Sequence, residues 1–206
     1  MRPKATRRKE QAQQTRAAIV EHAQRLFRER GFEAVTIEEI TDAAGVARGS
    51  FYTYFKNKSD IIVAEFRDID DYYRRYAVNL KRYRTGREKL FAFTRAQMRY
   101  VRDTVGNENL KVLYANQTIE PGSVKIISNR DRFWFHLICD IIAEGQATGE
   151  FRTDHRPEQL AEWFNRTIRG LFLEWCISSG EDFDLVKEAE TYCRDWIATA
   201  LGPLAG

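Results

Sequence analysis

Apolar residues recur at helical spacing over most of this chain, and no segment alternates as a half-buried strand would. Ile19, Ala23, Leu26 and Phe27 stand at i, i+4, i+7 and i+8, which predicts a first helix from about Thr15 to Arg30 with Gly31 as its stop. Thr36-Ile37-Glu38-Glu39 follows as a capping box that opens a short second helix. Gly45 offers a left-handed turn after Ala44, and a third short helix runs from about Ala47 to Phe55. Asn57 is expected to cap a long fourth helix, with Asp60 in its first turn and Ile61, Ile62, Phe66, Ile69, Tyr73, Tyr76 and Leu80 along the inner side. Five more helices are expected at about 86–105, 108–118, 123–146, 157–179 and 182–201. They are separated by Thr85-Gly86, Gly106-Asn107, Glu120-Pro121-Gly122, Gly149 with Arg156-Pro157, and Ser178-Ser179-Gly180. The expected fold class is all-α, with about nine helices. A basic disordered tail (1–13) precedes a three-helix domain (14–59), and a larger helical domain (60–206) follows where long aromatic helices replace short compact ones.

The pair of short helices joined by Ala44-Gly45-Val46 carries the most specific signal. A helix-turn-helix needs small residues for close approach, a glycine to turn, and an apolar plug at the corner. Phe51 and Phe55 then face inward with Ile37, Ile40 and Val46, leaving a polar outer face of Gly49, Ser50 and Thr53, with Arg48 at its N-terminal end and Tyr52 and Tyr54 on its flanks. That face suits a major groove about 12 Å wide. Arg48 suits guanine or a phosphate, Gly49 allows close backbone approach, and Ser50 donates to a base or phosphate. Tyr52 and Tyr54 suit phosphate oxygens, although each tyrosine would serve equally well in packing against a neighbouring helix. Thr36 and Lys58 stand at helix starts, where free amides already favour phosphate.

Charge sharpens this picture. Five cations against Glu10 give residues 1–10 a charge of +4, so the rest of a chain of net +3 carries −1. A basic terminus beside a helix-turn-helix fits nucleic acid, whereas a DNA-coating protein would need a basic body. Cys139, Cys176 and Cys193, and likewise His22, His136 and His155, are scattered without metal-ligand spacing, so neither a metal nor another cofactor is expected. No nucleophile–base pair or phosphate loop points to an enzyme. The apolar runs are too short for a membrane helix and the N-terminus lacks a signal-peptide core, so a cytoplasmic protein with reduced thiols is expected.

The run Gly45-Val46-Ala47-Arg48-Gly49-Ser50-Phe51-Tyr52-Thr53-Tyr54-Phe55-Lys56-Asn57-Lys58, preceded by Thr36-Ile37-Glu38-Glu39-Ile40, resembles the DNA-binding domain of the TetR family of bacterial repressors over about residues 14–66. The resemblance implies that Thr36, Arg48, Gly49, Ser50, Tyr52, Tyr54 and Lys58 meet double-stranded operator DNA. Ala47 departs from it, since the family commonly has a Ser or Thr cap there. Farther on, Gly145–Phe151 and Leu160–Trp175 resemble the family's entry into its eighth helix.

The resemblance also implies that residues 60–206 sense a small-molecule effector and form a homodimer through the last two helices. The stripe Leu160, Phe164, Ile168, Leu171 and Trp175 is the expected dimer seam, with Ala161, Trp163, Phe172 and Cys176 giving the same helix a second apolar side and Gly170 allowing close approach. Helix 123–146 is apolar nearly all round and is expected to be central. Candidate effector contacts are Tyr114, Asn116, Trp134, His136, Trp163, Asn165 and Arg166, for an apolar or aromatic ligand; each of these residue types serves a core or a seam as readily. A ligand-released repressor is the expected activity. An activator, or a repressor that needs its ligand to bind, is the alternative the residues leave open.

Overall fold

The computed structural model describes residues 4–119, 125–179 and 182–203. Among them are nine α-helices: α1 (Lys4–Arg30), α2 (Ile37–Ala43), α3 (Arg48–Tyr54), α4 (Ser59–Ala77), α5 (Gly86–Tyr100), α6 (Asn107–Ile119), α7 (Phe133–Ala147), α8 (Pro157–Ile177) and α9 (Leu185–Ala200). No described residue is in a strand. The chain divides into two compact units, Met1–Arg67 and Asp68–Gly206, so the division falls inside α4 rather than at its start.

In the first unit α1, α2 and α3 pack on one another around Ile19, Ala23, Phe27, Val35, Ile40, Phe51 and Phe55, all buried. Phe51 is fully buried and touches Phe55 with ring centroids 5.5 Å apart. Truncating such a ring to Ala typically costs about 3–5 kcal/mol. The expected start of α1 at Thr15 is corrected: the helix continues back to Lys4, through part of the segment expected to be a disordered tail. Helix-forming Ala, Arg, Lys, Glu and Gln dominate residues 4–14, and propensity sustains a helix there that has little to bury. Residues 1–3 of the basic terminus lie outside the described residues.

The second unit is built on α5 against α7 and α9, and on α8 against α6, α7 and α9. Gly145 is required where α7 ends, because a Cβ there would come within 2.5 Å of the Phe151 ring. The next turn aims Glu150 at α5, where its carboxylate accepts from the Gly86 and Arg87 amides at 2.7 and 3.0 Å and so caps that helix from a distance. The expected helix at 123–146 is shorter than the pattern implied, beginning only at Phe133. Before it, polar side chains hold the backbone in turns: Gln117 Oε1 accepts from the Ile126 amide at 2.7 Å and Asn129 Oδ1 from Asp131 at 2.8 Å. Nor is α7 covered all round, since His136, Asp140, Ala143 and Glu144 are exposed. The break expected at Glu120-Pro121-Gly122 lies outside the described residues, as does Gly180.

Candidate nucleic-acid interface

The turn between α2 and α3 forms as its sequence requires. Gly45 adopts φ +66°, and the Val46 amide donates back to Thr41 O at 3.0 Å. At the start of α2 the Glu39 amide donates to Thr36 Oγ1 at 3.2 Å, while the Thr36 amide donates to the Glu39 carboxylate at 2.8 Å. That amide, with Arg30 at 2.7 Å, holds the Glu39 carboxyl down at about 2. Ala47 makes no side-chain cap; only the Ser50 amide returns to its carbonyl, at 2.8 Å.

With Phe51 and Phe55 turned inward, α3 presents Arg48, Gly49, Tyr52 and Thr53 to solvent, with Ser50 and Tyr54 half-buried beside them. Nothing lies within 4 Å of the position a Gly49 Cβ would take, which leaves this backbone open to close approach. Arg48 is not idle. Its guanidinium reaches the Glu38 carboxylate at 2.5 Å, and a hydrogen bond with Tyr52, followed by Glu38, holds its pKa above the usual guanidinium value. Glu38 and Tyr52 thus fix the arginine on the outer face in the absence of DNA. Glu38 was missed in the sequence because an acid is not sought on a surface that meets phosphates; its position in the first turn of α2, about two turns before the corner, was the available signal.

Lys58 is corrected. Its ammonium donates to Phe32 O at 2.5 Å and Val35 O at 2.8 Å, and lies 4.2 Å from the centre of the Phe32 ring. Burial pushes its pKa down. The side chain ties the α1–α2 connection to the start of α4. A lysine long enough to reach carbonyls 23 and 26 residues back gives no sign of this in the local pattern.

The expected dimer seam is also corrected. Leu160, Phe164, Ile168 and Trp175 are buried within their own unit and Leu171 is half-buried, because the most apolar stripe of α8 serves the chain's own core. The large apolar residues left exposed on the last two helices are instead Leu173, Ile177 and Tyr192.

Four of the seven expected effector residues line two adjoining pockets, and the other three do not. Tyr114 and Arg166 line an open cavity of about 410 Å3 between α6, α8 and the segment before α7. Trp134 and Asn165 border a smaller adjoining pocket of about 30 Å3, which shares Ser128 and Arg169 with the larger one. Asn116 is buried and joined to Gln117 at 3.1 Å, His136 is exposed, and Trp163 packs edge-on to His155. The larger cavity also takes Lys125 and Arg169, which the pattern of polar groups inside apolar helices did not mark.

The model of the family described as bacterial regulatory proteins, tetR family, matches residues 19–64. Over 58 residues the chain is 47% identical to the HTH-type transcriptional regulator TtgR of Pseudomonas putida, a match that spans 28% of either protein. Over 188 residues, 91% of this chain and 89% of the relative, it is 27% identical to the HTH-type transcriptional repressor KstR2 of Mycolicibacterium smegmatis. The crystal structure of regulatory protein TetR from Rhodobacter sphaeroides superimposes with a TM-score of 0.60 at 27% identity, covering 87% of this chain and 97% of that one. High identity is thus confined to the helix-turn-helix, while the helical architecture is common to the whole length.

Proposed function

We propose that this chain, whose residues 19–64 match the tetR family model, is a TetR-type regulator: a sequence-specific DNA-binding transcriptional repressor that leaves its operator when a small molecule occupies the second unit. The observation that carries this is the division of α3 into a buried Phe51–Phe55 side and an exposed Arg48–Gly49–Tyr52–Thr53 side. A face of that size and polarity fits a major groove, with Arg48 reading guanine and Ser50, Tyr52, Tyr54 and Thr36 meeting backbone or base. The repressive sign is supported by the name of the full-length relative KstR2. Selection of bound duplexes from a random pool, using the whole chain, tests the reading: a two-fold-related enriched motif is expected, and recovery of unenriched DNA overturns it.

A second copy of the chain completes the reader. Ile177 and Tyr192, exposed on α8 and α9, supply an apolar surface that association would cover. Ile177→Glu with Tyr192→Glu is expected to give monomers of unchanged helicity that bind a full operator much more weakly, by light scattering and operator titration. A double variant that stays dimeric removes α8 and α9 from the interface. As a regulator of bacterial DNA, the protein would act in the cytoplasm.

A further inference from the structure

The cavity beside α8 has a lining whose chemistry differs from the apolar or aromatic effector that the sequence suggested. Its lining joins the apolar Ile127 and Leu173 with three cations, Lys125, Arg166 and Arg169. No carboxylate is present among the described residues that line it. Two of the cations are already engaged: Arg166 with Glu162 at 2.8 Å, and Lys125 with Gln117 O at 2.6 Å. Arg169 has no ion-pair partner among the described residues, although it is half-buried. Its backbone is pinned where it stands, because the Tyr114 hydroxyl donates to Arg169 O at 3.1 Å across the α6–α8 contact.

A half-buried guanidinium has lost part of its hydration, and a neutral occupant would deepen that loss without return. An anion instead gains charge-assisted hydrogen bonds from a planar donor whose fork matches carboxylate and phosphate oxygens. The apolar side chains in the lining call for a body that packs against them beside that head group. The volume, about 410 Å3, lies within the roughly 300–1,000 Å3 typical of small-molecule sites.

We propose that this cavity binds a small organic anion, a single carboxylate or phosphate group carried on a short apolar body, with Arg169 as the principal counter-charge. It is the effector site of the regulator described above, and it rests on that reading only for its effect on DNA; occupancy itself does not.

The test therefore measures binding to the full chain without DNA. Octanoate, octyl phosphate and octanol are titrated calorimetrically at equal ionic strength. One or both anions are expected to bind saturably at one site per chain, at least about tenfold more tightly than octanol, as one charge-assisted bond allows. Whichever anion binds more tightly assigns the head group as carboxylate or phosphate. Arg169→Met is expected to remove about tenfold or more of the anion affinity and leave octanol unchanged, while Arg169→Lys restores most of it. Octanol binding as well as the anions, no saturable anion binding, or an Arg169→Met variant with full anion affinity and intact helicity each overturns the proposal. The comparison of the three probes on the unaltered chain decides alone if the methionine variant fails to fold. Failure of the regulator reading would show separately, as an unenriched DNA pool in the absence of any probe.

Discussion

Arg132, immediately before α7, grips Asp70 of α4 with both arms of its guanidinium: Nη2 lies 2.8 Å from Oδ1 and Nε 3.1 Å from Oδ2. Both side chains are largely shielded, at 12% and 15% exposure, in contrast to the open ion pairs on the rest of the surface. The pair joins residues 62 apart and helps to explain why α7 starts where it does. Removing Asp70 takes the carboxylate from a shielded guanidinium, so Asp70→Leu is expected to destabilise the second unit by about 2–3 kcal/mol. Combining it with Arg132→Met should recover at least half of that loss, since two apolar side chains need no partner. Urea denaturation of the two single variants and the double variant measures the coupling. Strictly additive losses would mean the pair contributes no more than its packing.

On α3, Arg48 and Tyr52 touch each other yet are expected to act differently. Arg48→Ala should weaken the selected operator by about ten- to a hundredfold and relax preference at one base pair per half-site. Tyr52→Phe, which removes only a hydroxyl, should weaken matched and mismatched sites alike. Glu38→Gln should tighten binding to all duplexes a few-fold, because it frees the guanidinium and removes a negative charge from the phosphate-facing side. Lys58→Met should leave the sequence preference intact and lower the stability of the first unit by about 1–3 kcal/mol, because the bonds it removes are to its own loop. Binding titrations across a panel of mismatched sites separate these outcomes.

The N-terminal cap of α2 should be acid-sensitive. The Glu39 carboxyl sits at about 2 in the fold against an ordinary value of 4.5, so its contribution is fully present above 4.5 and is lost as pH falls toward 2. The mid-point of urea unfolding, followed from pH 5 to pH 2.5, should fall less steeply in Glu39→Gln than in the unaltered chain. Parallel curves would assign the acid sensitivity to other carboxylates, such as Asp154, which Arg152 also holds at about 2.

The basic N-terminus should add affinity without adding sequence choice. Deleting residues 2–9 is expected to flatten the dependence of log K on log salt by about 0.9 for each phosphate that the tail neutralises. The enriched motif should not change. An unaltered slope would show that these charges stay clear of the DNA.

Sequence alone determined the parts of this protein that rest on local rules. The helix-turn-helix was legible because each device acts within a few residues: Thr36 and Glu39 cap across three positions, Gly45 turns in place, and Phe51 and Phe55 are one turn apart. All-helical class followed in the same way from the 3.6-residue period. Tertiary structure decided which apolar stripe of α8 faces inward, since periodicity marks a stripe without saying whether it meets its own core or another chain; Leu160, Phe164 and Ile168 went to the core and Ile177 was left outside. It decided the fate of Lys58, whose partners lie more than twenty residues back, and the start of α7, which depends on Gln117 and Asp70 in other elements. It also decided the cation-lined cavity, where Lys125 and Arg169 come together from segments that carry no common pattern. Contacts of short range are fixed by chain geometry and can be read from spacing. Long-range contacts depend on which surfaces meet, and only the packed chain settles that.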